Sequence, residues 1–130
     1  MRFEDIKILI ADGSTGSLTQ LRQFLRDMSF KNIEVVHDGY QCLIALKKAP
    51  FDLLIIDREL PKMDALEVAQ YISRIPRFRK PKIVALIDAS SRETLELGVE
   101  LGINAYIVKP FTAAVLKEHL QKILDSTILS

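Results

Sequence analysis

The sequence predicts an α/β fold in which helices wind over both faces of one parallel sheet. Three observations carry this. Five short apolar runs recur along the chain, the stretches between them change to a helical period, and turn-forming residues mark the junctions. A sheet covered on both sides needs strands that are apolar throughout, and such sheets are parallel.

The elements follow in order. Residues 8–11 form the first run. After Gly13 and Gly16, Leu18, Leu21, Leu25 and Met28 repeat at three and four, as one face of a helix does. Residues 33–36 are the second run; past Gly39, Leu43 and Leu46 give a shorter stripe that ends near Pro50. The third run, 53–56, reads Leu-Leu-Ile-Ile with no polar alternation. Beyond Pro61 come Leu66, Ala69 and Ile72, then the breakers Pro76 and Pro81. Residues 83–87 are the fourth run, followed by Leu95, Val99 and Gly102. Residues 105–108 are the fifth, and after Pro110 the last stripe holds Leu116, Leu120, Ile123 and Leu124. A βα unit is thus expected five times, and right-handed crossovers put helices on both faces. The units share no residue pattern, so they are not solenoid repeats. Residues 1–5 and 126–130 are expected to be loose ends.

With 130 residues, the chain is expected to form a single domain over 1–130, with its core at about 6–125. Apolar residues are 48% and charged residues 27%, a globular composition. Eighteen basic and 17 acidic side chains leave a net charge of +1. A generic nucleic-acid or membrane-surface binder carries a larger excess of one sign, so neither partner is expected. The single cysteine, Cys42, excludes an internal disulfide and a cysteine-rich zinc site. Only His37 and His119 remain as nitrogen ligands, so a metal would need oxygen donors. No apolar run approaches the roughly 20 residues of a transmembrane helix. The first residues lack the apolar stretch of a signal peptide, and a cytoplasmic location is expected.

In open α/β sheets, ligands bind beyond the carboxyl ends of the strands. The residues after the first, third, fourth and fifth runs are Asp12-Gly13-Ser14, Asp57-Arg58-Glu59-Leu60-Pro61, Asp88-Ala89-Ser90-Ser91 and Lys109-Pro110-Phe111. Three of these ends carry an acid and the fourth a lysine. Two carboxylates about 4 Å apart repel by roughly 4 kcal/mol at an effective dielectric of 20. A chain that gathers such acids offsets them with a hard cation, a lysine or a proton. Lys109 is the visible candidate.

These residues bring the chain close to a family. It resembles the receiver domain of two-component response regulators, of which the stand-alone chemotaxis receiver is the short form. The resemblance covers nearly all of residues 6–125. It rests on Lys7-Ile8-Leu9-Ile10-Ala11-Asp12, on residues 51–57 with Pro61 and Asp64, and on Ala105-Tyr106-Ile107-Val108-Lys109-Pro110-Phe111. The resemblance implies a flavodoxin-like (βα)5 fold with strand order 2-1-3-4-5. It implies that Asp57 accepts a phosphoryl group from a histidine kinase or phosphotransfer protein. Lys109 would pair with Asp57 or with the phosphoryl oxygens, next to a cis peptide to Pro110. Asp12, Asp57 and the backbone carbonyl of Glu59 would hold Mg²⁺. Tyr106 would be the aromatic whose rotamer follows phosphorylation. Output would pass to an unknown downstream protein through the fourth helix, fifth strand and fifth helix. The family is a signalling module and not an enzyme.

Several positions depart from the family pattern. Gly13 stands where a second acid normally supplies the direct Mg²⁺ carboxylate. Ile87 replaces the Ser or Thr whose hydroxyl holds a phosphoryl oxygen. Asp88 replaces a small residue and would add negative charge near an incoming phosphoryl group. Ala65 replaces a glycine. Losing a group that supports a metal typically costs 10–100-fold in affinity or activity. Mg²⁺ binding is therefore expected to be weakened or absent. A pseudo-receiver that binds its partner regardless of phosphorylation is the alternative. A remoter one is a flavodoxin-like cofactor binder, suggested by the small hydroxyl residues of Gly13-Ser14-Thr15-Gly16-Ser17 at a helix start. Ser14 as an N-cap is the simpler account of that loop. Arg74, Arg77, Arg79, Lys80 and Lys82 form a basic cluster, expected to be a solvated loop at the sheet end away from Asp57. His37 and His119 are expected at the surface, and Cys42 in the core.

Overall fold

The computed structural model describes residues 2–89 and 100–128. A 3-10 turn, Phe3–Asp5, precedes β1 (Lys7–Ala11), α1 (Thr15–Asp27), β2 (Asn32–Val36), α2 (Gly39–Lys48), β3 (Leu53–Asp57), α3 (Ala65–Ser73), β4 (Lys82–Ile87), β5 (Ala105–Val108) and the C-terminal helix (Ala113–Ile128). All five strands pair in parallel in the order β2-β1-β3-β4-β5. This is the doubly wound architecture the sequence predicts. The expected helical positions Leu95 and Val99 lie outside the described residues.

Alternation along the strands divides the core into two layers. On one face Leu9, Leu54, Ile56, Ile83 and Ala85 pack against Cys42 and Leu46 of α2 and Val68 and Ile72 of α3. On the other, Ile8, Ile10, Ile55, Val84 and Leu86 pack against Leu21 and Leu25 of α1 and Leu116, Leu120 and Leu124 of the C-terminal helix. Every residue of β3 is buried. Each fully buried Leu or Ile contributes about 1.5–3 kcal/mol. Polar alternation in β3 would therefore have cost the fold one of its two layers.

Three local expectations are corrected. The first residues are not loose: the ring of Phe3 stacks on Phe30, with centroids 4.4 Å apart and planes at 13°. The C-terminal helix continues through 126–128, past the point where the chain was expected to fray. Ser14 occupies the N-cap position of α1 but makes no side-chain cap; its backbone N–H instead donates to Asp12 Oδ1 at 2.7 Å. The nearby acid competes for the local hydrogen-bonding groups.

Candidate functional site

The parallel order sends the carboxyl ends of β1, β3, β4 and β5 to one rim of the sheet. Asp57 is the last residue of β3 and Asp12 directly follows β1. Both are buried, at 6% and 1% exposure. With Gly13, Ser14, Glu59, Pro61 and Lys109 they line a hollow of about 310 Å³.

Asp57 is held on both oxygens. Oδ2 accepts from Lys109 Nζ at 2.6 Å, and Oδ1 accepts from the backbone N–H of Glu59 at 2.9 Å. The backbone N–H of Lys109 donates to the carbonyl of Ile87 at 2.8 Å, which anchors the lysine to the end of β4. The Lys109–Pro110 peptide is cis. Burial works to lower the pKa of Lys109, but the hydrogen bond and charge of Asp57, with the charges of Asp88 and Asp12, overcome it and hold the pKa above its ordinary value. The ammonium therefore stays charged at neutral pH.

Asp12 is less well satisfied. Its Oδ1 takes the N–H of Ser14, whereas its buried Oδ2 has no hydrogen-bond partner among the described residues. Burial pushes its carboxyl pKa above the ordinary value, against the Ser14 hydrogen bond; Asp57 adds to the rise, and Lys109 and His37 oppose it. A buried carboxylate oxygen with no donor is what a hard cation would satisfy. The oxygen donors present therefore fit Mg²⁺. The set is sparse, because Gly13 brings no carboxylate. Among the described residues no group of three His, Cys, Asp or Glu converges as a metal site. A Cβ at position 13 would lie 3.3 Å from Pro61 Cδ and 3.5 Å from the His37 carbonyl, so a side chain there is nearly accommodated.

The other expected positions fall nearby. Ile87 is buried at the end of β4, and its side chain belongs to the core layer under α2 and α3, against which Tyr106 packs. Tyr106 is half-buried, and burial raises its hydroxyl pKa against the charge of Arg58. Asp88 is exposed and does not line the Asp12–Asp57 hollow. It lines a neighbouring one of about 320 Å³ with Ser17, Gln20, Pro110 and Phe111, and the two hollows share Lys109. Its charge acts on the lysine. His37 is exposed and His119 is half-buried; His37 Nδ1 lies 3.3 Å from the carbonyl oxygen of Asp12. Burial, then Asp38, pushes the Cys42 thiol up to about 12, so it is inert core.

Two supports had no sequence signal. Arg58 pairs with Asp64 at 2.8 Å, closing the loop after β3 onto the N-cap of α3. The N–H of Gly39 donates to the Pro61 carbonyl at 3.1 Å, and Lys62 lies 3.5 Å from Asp38. Together these tie the loop that carries Glu59 to the start of α2. A D-x-x-E pattern, Asp64 to Glu67, could have marked the α3 capping box, which both residues form.

The model of the response regulator receiver domain matches residues 8–121. The chain belongs to this family. Chemotaxis protein CheY-3 of Vibrio cholerae is 34% identical over 122 residues, covering 94% of each chain. Chemotaxis protein CheY of Pseudomonas aeruginosa is 31% identical, covering 92% of this chain and 97% of its own length. Among solved structures, chemotaxis response regulator CheY4 of Vibrio cholerae superposes with a TM-score of 0.82 at 28% identity, over 92% of this chain and 98% of that one. The receiver domain of the sensor histidine kinase PA1611 from Pseudomonas aeruginosa, solved with a magnesium ion coordinated in its active-site cleft, has a TM-score of 0.79 at 26% identity, over 90% of this chain and 95% of that one. The protein is therefore a receiver domain homologous to chemotaxis receivers and to receiver domains of histidine kinases, consistent with a response-regulator role in a phosphorelay. Receivers are signalling modules, generally non-catalytic, that interact with histidine kinases and phosphotransfer proteins and bind Mg²⁺ at the active site. Among the described residues no helix is long and apolar enough to cross a membrane.

Proposed function

We propose that Asp57 is the phosphoacceptor and that the protein relays a signal by protein contact. The observation that carries this reading is the 2.6 Å pair of Asp57 with Lys109 beside the buried, half-satisfied carboxylate of Asp12. An Asp57 oxygen attacks the phosphorus of a phosphohistidine on the partner. The new P–O bond forms as the P–N bond breaks, and the imidazole leaves with the electron pair. Lys109 releases Asp57 and turns to the phosphoryl oxygens, whose negative charge replaces that of the free carboxylate. Asp12, Asp57 and the Glu59 carbonyl would hold Mg²⁺, which when bound neutralises phosphoryl charge. Binding would be weaker than in receivers with a second acid, because Gly13 adds none. Beyond accepting the phosphoryl group, the domain turns over no substrate; it acts as a single cytoplasmic domain over 1–130.

The downstream protein would dock on the face around β5 and the C-terminal helix. Val108 and Val115 are exposed there, and Tyr106 on the same strand is half-buried. The test is to incubate the protein with Mg²⁺ and a small phosphodonor and weigh it. A single phosphoryl adduct, absent in Asp57→Ala, supports the reading. No adduct, together with no chemical-shift response to beryllofluoride, overturns it.

A second reading has its own observation. Ile87 offers no hydroxyl, so a phosphoryl group on Asp57 would have nothing at the end of β4 to pull toward it. If Tyr106 is uncoupled from the site, a partner binds both states equally and phosphorylation shifts nothing. Under this pseudo-receiver reading, Asp57→Ala leaves partner binding and cell phenotype intact.

A further inference from the structure

The basic cluster is largely exposed, as expected, and the fold sets part of it beside a second basic segment. The fold brings the last turn of α2 against the connection between α3 and β4. Lys47, Lys48, Arg77 and Arg79 then line one hollow of about 240 Å³. Its apolar walls include Phe51, which is buried, and Phe78, which is half-buried. Arg74 and Lys80 flank it in sequence. The whole chain carries only +1, so this end of the molecule holds a strong local excess of positive charge.

Two of the four lining cations are held in place. Arg79 Nη2 lies 2.8 Å from Asp52 Oδ1, and Asp52 Oδ2 accepts the backbone N–H of Lys7 at 2.9 Å. Lys47 Nζ donates to Tyr71 Oη at 2.9 Å. The other two, Lys48 and Arg77, have no ion pair among the described residues. The helix dipole accounts for lysines at the end of α2. It does not account for Arg77, which sits at φ 59°. Glycine or asparagine would hold that left-handed backbone with less strain. Arg77 keeps this strained backbone with its side chain exposed and without an ion pair among the described residues.

We propose that this hollow is a binding site for an oligophosphate, the group carried by a nucleoside di- or triphosphate. Four cations line it from two separate segments, and among the described residues Asp52 is the one carboxylate paired with any of them. A compact ligand with several negative charges matches this set. An extended polyanion would call for cations spread along a groove. Arg77 and Arg79 supply forked donors for phosphate oxygens, and Lys48 supplies a mobile point charge. Phe78 gives an apolar surface beside them, suited to the flat face of a base. The site lies at the amino end of the strands, opposite Asp57, so it does not depend on the phosphorylation reading.

The test is a calorimetric titration of the full chain at low ionic strength with tripolyphosphate and ATP. A single-stranded oligonucleotide and a polyglutamate peptide serve as comparators. Saturable one-to-one binding of tripolyphosphate or ATP is expected, with amide shifts gathered at residues 47–51 and 77–81. Lys48→Gln with Arg77→Asn should weaken it by at least about tenfold, as loss of two charge-assisted contacts would. Asparagine keeps the backbone conformation at 77, so the fold is retained. Lys117→Gln with Lys122→Gln, the same charge change on the C-terminal helix, should leave binding unchanged. Tighter binding of ATP assigns a nucleotide, and equal affinity assigns the oligophosphate alone. Three results would overturn the site: no saturable binding, preference for the oligonucleotide or the peptide, or equal loss in the control pair.

Discussion

Lys109 reaches Asp57 across 52 residues of sequence, and its ammonium is the cation bonded to a rim that holds two buried carboxylates. The lysine therefore does two jobs: it pairs with Asp57 and it screens Asp57 from Asp12. Removing it leaves both acids facing each other, whereas removing Asp57 relieves their repulsion. Lys109→Gln should destabilise the fold by about 1–2 kcal/mol. This is below the roughly 3–5 kcal/mol of a fully buried pair, because the ammonium keeps some contact with water. Asp57→Asn should be neutral or stabilising. Urea unfolding at neutral pH measures both, and the reverse ranking would show that Lys109 does not offset the pair.

The pH dependence follows from Asp12 and Lys109. Asp12 has a raised folded pKa, so between its ordinary value of 3.8 and that higher value the folded state binds more protons than the unfolded one. Stability then falls as pH rises through this window, and the ionised Asp12 costs stability at all higher pH. Asp12→Asn should stabilise the protein at pH 7, with the gain vanishing below 3.8. Lys109 gives the same sign in its own, alkaline window. Its raised pKa gives stability that is fully present below 10.5 and lost as pH rises through the higher folded value. Unfolding curves across pH for wild type and Asp12→Asn check the first point. A gain that persists in acid would mean that packing, not charge, is responsible.

Much of this was legible in the sequence, for physical reasons that differ by element. β3 was plain because both its faces are covered, so its apolar run has no interruption. The site acids were plain because a parallel sheet sends consecutive strand ends to one rim, so position after a run predicts convergence. The strand order came with the family resemblance, since periodicity carries no information on which strands are neighbours. Contacts that depend on that order stayed hidden. The stack of Phe3 on Phe30, and the hollow that Lys48 and Arg77 both line, bring together segments that no local pattern connects. Ser14 misled because its side chain has cap chemistry, yet the structure gives its backbone N–H to Asp12.

Gly13 tests the missing ligand. Position 13 does not require a left-handed backbone, and a Cβ there meets only ordinary or slightly tight contacts. An acid can therefore be restored. Gly13→Asp should raise Mg²⁺ affinity by about 10–100-fold. Without Mg²⁺ the same change should lower stability, because a third carboxylate joins Asp12 and Asp57. Magnesium titrations followed by amide shifts, paired with thermal unfolding with and without Mg²⁺, read both effects. Unchanged affinity would mean that the lack of an acid at position 13 does not limit Mg²⁺ binding.

Gly39 tests how the site is braced. A Cβ at this position would run into the backbone and side chain of Met63, so the start of α2 and the loop after β3 touch backbone to backbone. The Gly39 N–H to Pro61 bond lies in the same contact. Gly39→Ala must push the loop away, at a cost of about 1–3 kcal/mol from overpacking. The displaced loop carries Glu59, whose N–H orients Asp57. The variant should therefore lose phosphorylation rate as well as stability, while Gly16→Ala, where a Cβ meets nothing within 4 Å, should not. Denaturant unfolding with a phosphodonor time course separates the outcomes. Loss of stability with an unchanged rate would show that the clamp holds the fold but does not aim the carboxylate.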